Sequence, residues 1–209
     1  MAQYSPQGFS ILPPAVKHLL IVNVLCYLAY YVLRMQHIVD LNALLGLWHP
    51  SYPYFRPWQP LTYMFMHANF THLFFNMFAL WMFGNTMENF WGTRRFLIYY
   101  LACGLGAGLI SMLIPGSLTV GASGAVYGLL LAFGMTFPNE YIYLYFLMPI
   151  KAKWFVIGYA ALELIQGVFY SYDGVAHFAH LGGMLVGLLL ILWWRRNPFS
   201  RNPFHHFKN

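Results

Sequence analysis

Two side chains that can act together in nucleophilic chemistry, Ser123 and His180, lie in apolar parts of this chain. A serine hydroxyl is a weak nucleophile until a base removes its proton, and histidine is the side chain best suited to do so near neutral pH. Polar side chains are costly inside a lipid bilayer and usually face the interior of a helix bundle. If the surrounding segments are membrane helices, the two residues are predicted to form a buried serine–histidine pair.

The composition favours a membrane protein. Of the 209 residues, 60% are hydrophobic and 8% are charged, whereas roughly a quarter of the residues in a soluble domain are charged. A transmembrane helix needs about 20 mostly apolar residues. Six stretches meet this requirement: 16–35, 61–83, 96–114, 118–137, 153–171 and 174–194. The predicted fold is therefore all-α, a polytopic membrane protein with a bundle of six transmembrane helices.

One further apolar stretch, 141–150, is too short to cross a membrane. Pro138 and Pro149 bracket it, and prolines of this kind are typical of loops. We therefore predict an interfacial loop there.

The basic residues predict the orientation of the chain. If the amino terminus is cytoplasmic, nine Lys and Arg residues lie on the cytoplasmic side and only Arg34 and Arg56 lie outside. The basic residues are scattered at the ends of the spans, so the net charge of +6 does not indicate a nucleic-acid surface. We predict a cytoplasmic segment at 1–15, a membrane domain at 16–196 and a cytoplasmic basic tail at 197–209, in the inner membrane of a bacterial cell.

Depth in the membrane can be compared between spans two, four and six, because they run in the same direction. With a helix rise of about 1.5 Å per residue, Ser123 and His180 both lie roughly 8 to 9 Å below the outer edge. The same arithmetic puts His72 and Asn76 deeper, about 17 and 22 Å along span two. Spans four and six can approach closely, because each carries two glycines four residues apart. These are Gly124 and Gly128, and Gly183 and Gly187.

An acidic partner for the histidine is not predicted. Spans two, four and six carry no Asp or Glu at the depth of His180, so the residues favour a dyad. Tyr127, four residues after Ser123, faces the same side of its helix and can stack on the imidazole.

Three polar residues are left outside this pair. Glu163 and Gln166 lie near the middle of span five, where we expect an interhelical hydrogen bond, with a role near a substrate gate as the alternative. His177 lies above the glycine stripe of span six and nearer to water than His180. We therefore expect His180 to be the base.

Four short motifs follow one another along the predicted membrane core. They are His67, His72 and Asn76 in span two, Gly84, Glu88 and Gly92 after it, Gly121-Ala122-Ser123-Gly124 with Tyr127 in span four, and Ala179-His180 with Gly183 and Gly187 in span six. Together they resemble the rhomboid family of intramembrane serine proteases. The chain departs from the family in the loop after span one, where Pro57-Trp58-Gln59-Pro60 stands in place of Trp-Arg. The resemblance therefore leaves the anchoring of that loop open.

The resemblance implies a six-helix protease that hydrolyses peptide bonds in or near transmembrane helices of other membrane proteins, with water entering from the non-cytoplasmic side. It implies that Ser123 is the nucleophile and that His180 is the general base and acid. It also implies that His72, Asn76 and the Ser123 backbone N–H line an oxyanion hole and that Tyr127 supports His180. No metal or other cofactor is expected, and the expected partners are transmembrane substrates and the lipid bilayer.

Two other functions are weighed against this one. The histidines of spans two and six, with His205 and His206, faintly resemble the histidine boxes of membrane di-iron enzymes, but the tail pair is predicted on the opposite side of the membrane. The chain also has no H-E-x-x-H motif, which argues against a zinc protease. The second alternative is a catalytically inactive rhomboid-like protein that only binds membrane helices. The presence of Ser123, His180 and Asn76 argues against it.

Overall fold

The computed structural model describes residues 10–114, 118–144, 148–169 and 176–196. The helices in these ranges are α1 (Pro14–Met35), α2 (Leu41–Leu45), α3 (Gln59–Thr62), α4 (Phe70–Ala79), α5 (Asn85–Trp91), α6 (Thr93–Ser111), α7 (Ser123–Thr136), α8 (Ala152–Phe169) and α9 (His177–Arg196). Two short strands, β1 (Tyr141–Leu144) and β2 (Met148–Lys151), form a hairpin. The predicted tail at 197–209 and most of the predicted amino-terminal segment lie outside the described residues.

The structure confirms a predominantly helical fold with several apolar helices. Within the described ranges, three helices are long and apolar enough to cross a membrane, namely α1, α8 and α9. Helix α7 is apolar but shorter, because residues 118–122 of the predicted fourth span are not helical and the helix begins only at Ser123. The count of six transmembrane helices stays a prediction.

Helix α1 is attached at its first turn to the carboxylate of Glu88 on α5. The carboxylate oxygens accept hydrogen bonds from the backbone N–H groups of Ala15 at 2.9 Å and Val16 at 2.8 Å, and from the Thr93 hydroxyl at 2.7 Å. The first N–H groups of a helix have no partner within the helix, and the helix dipole favours a negative charge there. Glu88 therefore serves as the missing cap of α1, which begins with Pro14.

The second predicted span, 61–83, differs most from the structure. The chain forms the short helix α3, then a 3-10 turn at Tyr63–Phe65, and begins α4 only at Phe70. The side-chain oxygen of Asn69 accepts a hydrogen bond from the His72 backbone N–H at 2.8 Å, which caps the new helix. A π-helical turn at Leu80–Gly84 joins α4 to α5. The predicted start of the second span, at residue 61, was wrong because apolar composition does not indicate at which residue a helix is capped.

The core is built around the mutual contacts of α6, α7 and α9. The backbone of α9 meets that of α7 at Gly183, where a methyl group would clash with the carbonyl of Gly124. This contact confirms the close approach of these two helices that the glycines predict. Gly187 serves a different neighbour, since a side chain there would meet Tyr99 and Cys103 of α6.

Helix α8 packs at the edge of this core, against α7 and α9. Most of its large apolar side chains are exposed, whereas Glu163 is buried on the face that packs inward. The stretch that precedes α8 was predicted to be a loop, but it forms the antiparallel hairpin, in which Tyr141 pairs with Lys151 and Ile142 with Ile150. The alternating aromatic and β-branched residues Tyr141-Ile142-Tyr143 suit a paired strand, although the stretch is too short to cross a membrane.

Candidate active site

Three helices begin around one cavity. Helices α4, α7 and α9 place His72, Ser123 and His180 within their first four residues. These side chains line a cavity of about 700 Å³. A helix that began at residue 61 would place His72 deeper than Ser123. Helix α4 begins at Phe70 instead, so His72 lies in its first turn.

The serine and the histidine meet across α7 and α9. Ser123 Oγ lies 2.8 Å from Nε2 of His180, a normal hydrogen-bond length. His180 is buried and Ser123 is half-buried at the cavity wall. The ring of Tyr127 stacks on the His180 imidazole, with centroids 4.4 Å apart and planes 7° apart. The stacking agrees with the sequence prediction. Ser123 and Tyr127 of α7 therefore both contact His180 of α9.

The backbone beside Ser123 is shaped by Gly121. This glycine has a φ of +124°, a conformation that other residues rarely adopt. A Cβ there would lie 2.7 Å from His72 Nε2 and 3.7 Å from Ser123 Oγ. The imidazole and the hydroxyl therefore both lie next to the space that a side chain at position 121 would fill. Ser123 is the first residue of α7, where backbone N–H groups have no partner within the helix. Together, the first turn of α7 and His72 can offer hydrogen-bond donors to a negative charge.

Asn76 and His67 contact His72 from two sides. Asn76 lines the cavity, and its Nδ2 donates a hydrogen bond to the His72 backbone carbonyl at 2.9 Å. An amide nitrogen carries two hydrogens, so the second is available for another acceptor. His67 is fully buried, and its ring lies 5.1 Å from that of His72 in an edge-on arrangement. Of the histidines in span two, His72 thus lines the cavity and His67 packs behind it.

The structure places beside the pair a carboxylate that the sequence did not predict there. Glu163 Oε2 lies 2.9 Å from Nδ1 of His180, the ring nitrogen opposite the one that bonds Ser123. The hydroxyl of Tyr127 donates a hydrogen bond to Glu163 Oε1. The carboxylate comes from α8, which lies in span five and outside the three spans that carry His72, Ser123 and His180. Counted back from residue 171, Glu163 lies roughly 12 Å below the outer edge, so the same depth arithmetic could have found it.

His177 is also part of this cluster. Its Nδ1 lies 2.7 Å from the same Glu163 oxygen that His180 contacts. The side chain is 4% exposed, so the expectation that it lies nearer to water was wrong. Helix α8 covers it, through Glu163 and through Gly167, whose position would bring a Cβ within 3.2 Å of the His177 Cβ.

Comparison with known proteins places this arrangement in a family. The rhomboid domain family matches residues 54–197. Rhomboid-like protein 11, chloroplastic, from Arabidopsis thaliana is 33% identical over 192 residues, covering 87% of this chain and 65% of the relative. Rhomboid protease GlpG from Yersinia pestis (strain Pestoides F) is 29% identical over 180 residues, covering 84% of this chain and 62% of the relative.

The chain belongs to the rhomboid family. It spans a little under two thirds of the length of these curated relatives.

In this rhomboid the loop after α1 is anchored by Gln59, at the position where the family's Trp-Arg is missing. Gln59 is fully buried. Its Oε1 accepts hydrogen bonds from the backbone N–H groups of Trp48 at 3.3 Å and Arg56 at 3.1 Å, and its Nε2 donates to the carbonyls of Leu44 at 3.2 Å and Tyr54 at 3.0 Å. One amide side chain thus holds the loop in place without an arginine.

One geometric observation bears on the alternative of a metal enzyme. In the part of this rhomboid that the structure describes, one group of three side chains offers metal-ligand atoms within 4.8 Å of one another: Glu163, His177 and His180. In this group, Nδ1 of each histidine lies at hydrogen-bond distance from Glu163 Oε2. His205 and His206 lie outside the described residues. The same three side chains could therefore form either a hydrogen-bonded cluster or a metal site. An experiment must distinguish these two possibilities.

Proposed function

We propose that this chain is an intramembrane serine endopeptidase that hydrolyses peptide bonds in or near transmembrane helices of other membrane proteins. The observation that carries the proposal is the hydrogen bond of 2.8 Å between Ser123 Oγ and His180 Nε2 at the wall of the cavity. A nucleophile paired with a base, at the start of a helix and beside an open cavity, is the arrangement that acyl transfer requires. Membership of the rhomboid family and the similarity to Rhomboid protease GlpG support the same reaction class.

In the first half of the reaction, neutral His180 accepts the Ser123 hydroxyl proton at Nε2 while Oγ attacks the substrate carbonyl. The carbonyl π bond opens, and the oxygen takes the negative charge of a tetrahedral intermediate. The protonated imidazole then gives its proton to the leaving amine as the C–N bond breaks. The products of this half are a free amine and an acyl ester on Ser123.

In the second half, water from the cavity gives a proton to His180 Nε2 and attacks the ester carbonyl. Collapse of the second tetrahedral intermediate releases the carboxylic acid and returns the proton to Ser123 Oγ. Water reaches the ester through the cavity, whose lining includes Ser111, Thr71 and Asn69 in addition to the reacting groups.

The oxyanion of both intermediates is stabilised by donors that are fixed before the substrate binds. Candidates are the backbone N–H of Ser123, the Nε2–H of His72 and the second Nδ2 hydrogen of Asn76. Loss of one such donor lowers kcat by about 10²–10³-fold in a soluble serine protease. Tyr127 supports His180 through ring stacking.

The proposal includes the wider organisation of the chain. We propose six transmembrane helices in residues 16–196 and cytoplasmic termini, in a bacterial inner membrane, with the reacting groups near the non-cytoplasmic face. A transmembrane substrate has its carbonyls hydrogen-bonded within its own helix, so a segment that unwinds readily is the expected cleavage site.

The test is cleavage of a panel of single-span membrane proteins by the purified chain in detergent micelles and in proteoliposomes. We expect cleavage by the wild type, background cleavage by Ser123→Ala, and labelling of the wild type but not of Ser123→Ala by a fluorophosphonate probe. A matched control is Ser51→Ala, since Ser51 Oγ also contacts a histidine, His49 Nδ1, at 2.7 Å, but in an exposed loop. This control should cleave and label like the wild type.

Two outcomes would contradict the proposal. Cleavage by folded Ser123→Ala would exclude the serine mechanism. Binding of the panel without cleavage or labelling of Ser123 would favour the alternative, a catalytically inactive rhomboid-like protein that binds membrane helices.

A further inference from the structure

Glu163 is the centre of a hydrogen-bond cluster. Its Oε2 contacts Nδ1 of His180 at 2.9 Å and Nδ1 of His177 at 2.7 Å, and its Oε1 accepts from the Tyr127 hydroxyl. Glu163 is 4% exposed. A buried carboxylate is stable only when donors satisfy its oxygens, and here three side chains from α7 and α9 do so. An ionised carboxylate can only accept hydrogen bonds, so each of these partners is the donor.

This arrangement selects the tautomer of His180. In a neutral imidazole one nitrogen carries a hydrogen and the other accepts, and the hydrogen bond at one nitrogen decides the state of the other. Donation from Nδ1 to Glu163 leaves Nε2 with a free lone pair. That lone pair faces Ser123 Oγ at 2.8 Å. Glu163 therefore holds His180 in the state that can accept the serine proton.

The same contact favours the charged state that His180 passes through. When Nε2 accepts the proton, the imidazolium lies one hydrogen bond from a negative carboxylate. Opposite charges interact more strongly in a site that excludes water than at a surface. The carboxylate therefore lowers the barrier to proton transfer as well as orienting the ring.

His177 and Tyr127 fix the position of the carboxylate itself. Each bonds one Glu163 oxygen from outside the serine–histidine pair, so the carboxylate cannot rotate away without breaking a second hydrogen bond. Tyr127 also stacks on His180 and so contacts two members of the cluster.

Given the proposed function, we infer that Glu163 is a positioning residue that completes a Ser123–His180–Glu163 triad, with its carboxylate supplied by α8. His177 and Tyr127 are the groups that hold this carboxylate in place. The family motifs imply a serine–histidine dyad. In this chain an acid that lies outside those motifs joins the two residues.

The experiment compares Glu163→Gln, Glu163→Asp and Glu140→Gln with the wild type on a substrate that the wild type cleaves. Gln has the shape of Glu but can turn its NH₂ group toward His180 Nδ1, which favours the wrong tautomer. We expect Glu163→Gln to lower kcat about 100-fold with KM within about twofold, because Tyr127 still orients the ring, whereas loss of the acid costs about 10⁴-fold in soluble triads. Glu163→Asp keeps the charge and should recover part of kcat.

The matched control is Glu140→Gln, the same change at an exposed carboxylate at the start of the hairpin. It should retain wild-type kcat and KM. A merely structural Glu163 would give a different result, namely a lower melting temperature and a raised KM with kcat preserved. That result, or wild-type kcat in folded Glu163→Gln, would overturn the proposal.

A readout independent of cleavage is the ¹⁵N NMR spectrum of histidine-labelled protein in micelles, with the His180 signals assigned by His180→Ala. We expect the Nδ1–H tautomer of His180 in the wild type and a shift toward the Nε2–H tautomer in Glu163→Gln. An Nε2–H tautomer in the wild type would refute the role of Glu163 even if cleavage is observed. If no substrate is cleaved and Ser123 is not labelled, the proposed function fails, while the tautomer still decides whether Glu163 directs His180.

Discussion

Gly183 on α9 lies directly against the backbone carbonyl of Gly124 on α7. No side chain separates the two helices at this point, and Gly124 is the residue that follows Ser123. Three residues before Gly183 on α9 is His180. The hydrogen bond between Ser123 and His180 therefore depends on a contact between two backbones, one helical turn away on α9.

The first prediction is that Gly183→Ala lowers both cleavage and stability. The added methyl group meets backbone atoms that cannot rotate away, so α7 and α9 must separate, and overpacking of this kind costs about 1–3 kcal/mol. We expect kcat to fall about tenfold or more, since displacement by about 1 Å can cost about 100-fold. Cleavage kinetics and thermal unfolding measure the two effects.

The control for this change is Gly158→Ala on α8, where a Cβ would have no neighbour within 4 Å. It should cleave normally and be as stable as the wild type or slightly more stable, because alanine favours a helix by up to about 1 kcal/mol. Normal cleavage by Gly183→Ala would show that the backbone contact does not position the pair.

The second prediction separates the two histidines of α9. His180→Ala should reduce kcat to background, because it removes the group bonded to Ser123 Oγ. His177→Ala should keep measurable cleavage, reduced about tenfold or less, because it removes only one of the donors that hold Glu163. Single-turnover kinetics on folded variants give the comparison. A dead His177→Ala beside an active His180→Ala would reverse the assignment of the base.

The third prediction concerns the cap of α1. Glu88→Gln should destabilise the protein by about 2–3 kcal/mol, because the carboxylate accepts hydrogen bonds from two backbone N–H groups and a hydroxyl. For a chain of this size that corresponds to a melting temperature lower by about 5–10 °C. Below the transition, kcat should be unchanged, since Glu88 does not line the cavity.

The comparison for Glu88 is Glu140→Gln, which should leave the melting temperature unchanged. An equal melting temperature for Glu88→Gln and wild type would mean that an amide oxygen, with or without water, satisfies the first turn of α1 as well as the carboxylate does.

The fourth prediction tests for a metal at Glu163, His177 and His180. Incubation with EDTA or 1,10-phenanthroline should leave cleavage and fluorophosphonate labelling unchanged, because the three side chains satisfy one another by hydrogen bonds. Elemental analysis of the purified protein should find no stoichiometric metal. Loss of cleavage on chelation, restored by Zn²⁺, would instead assign these residues to a metal centre.

The fifth prediction concerns orientation. In a background with Cys26 and Cys103 replaced by serine, a cysteine at Ser51 should react with an impermeant maleimide added to intact cells. A cysteine at Asn139, after the opposite end of α7, should react only after the membrane is opened. The basic residues predict this orientation, and it brings the cavity to the non-cytoplasmic side. The reverse labelling pattern would place the cavity on the cytoplasmic side.

Much of this site follows from the sequence alone. Apolar stretches of sufficient length identify a membrane protein, and the cost of burying polar groups in lipid singles out Ser123, His180 and His72. The glycines of spans four and six predict which helices approach closely. These inferences need only the identity of residues along one segment at a time.

The tertiary structure decided what depends on two segments at once. Helix α4 begins at Phe70 because Asn69 caps it. The hydropathy of a segment does not indicate where such a cap lies. Glu163 reaches His180 because α8 packs against α7 and α9 with that one face turned inward. The rotation and tilt of a helix are set by its neighbours and not by its own composition. The sequence therefore predicted Ser123 and His180 as the reacting pair, and only the packing of α8 placed the Glu163 carboxylate beside His180.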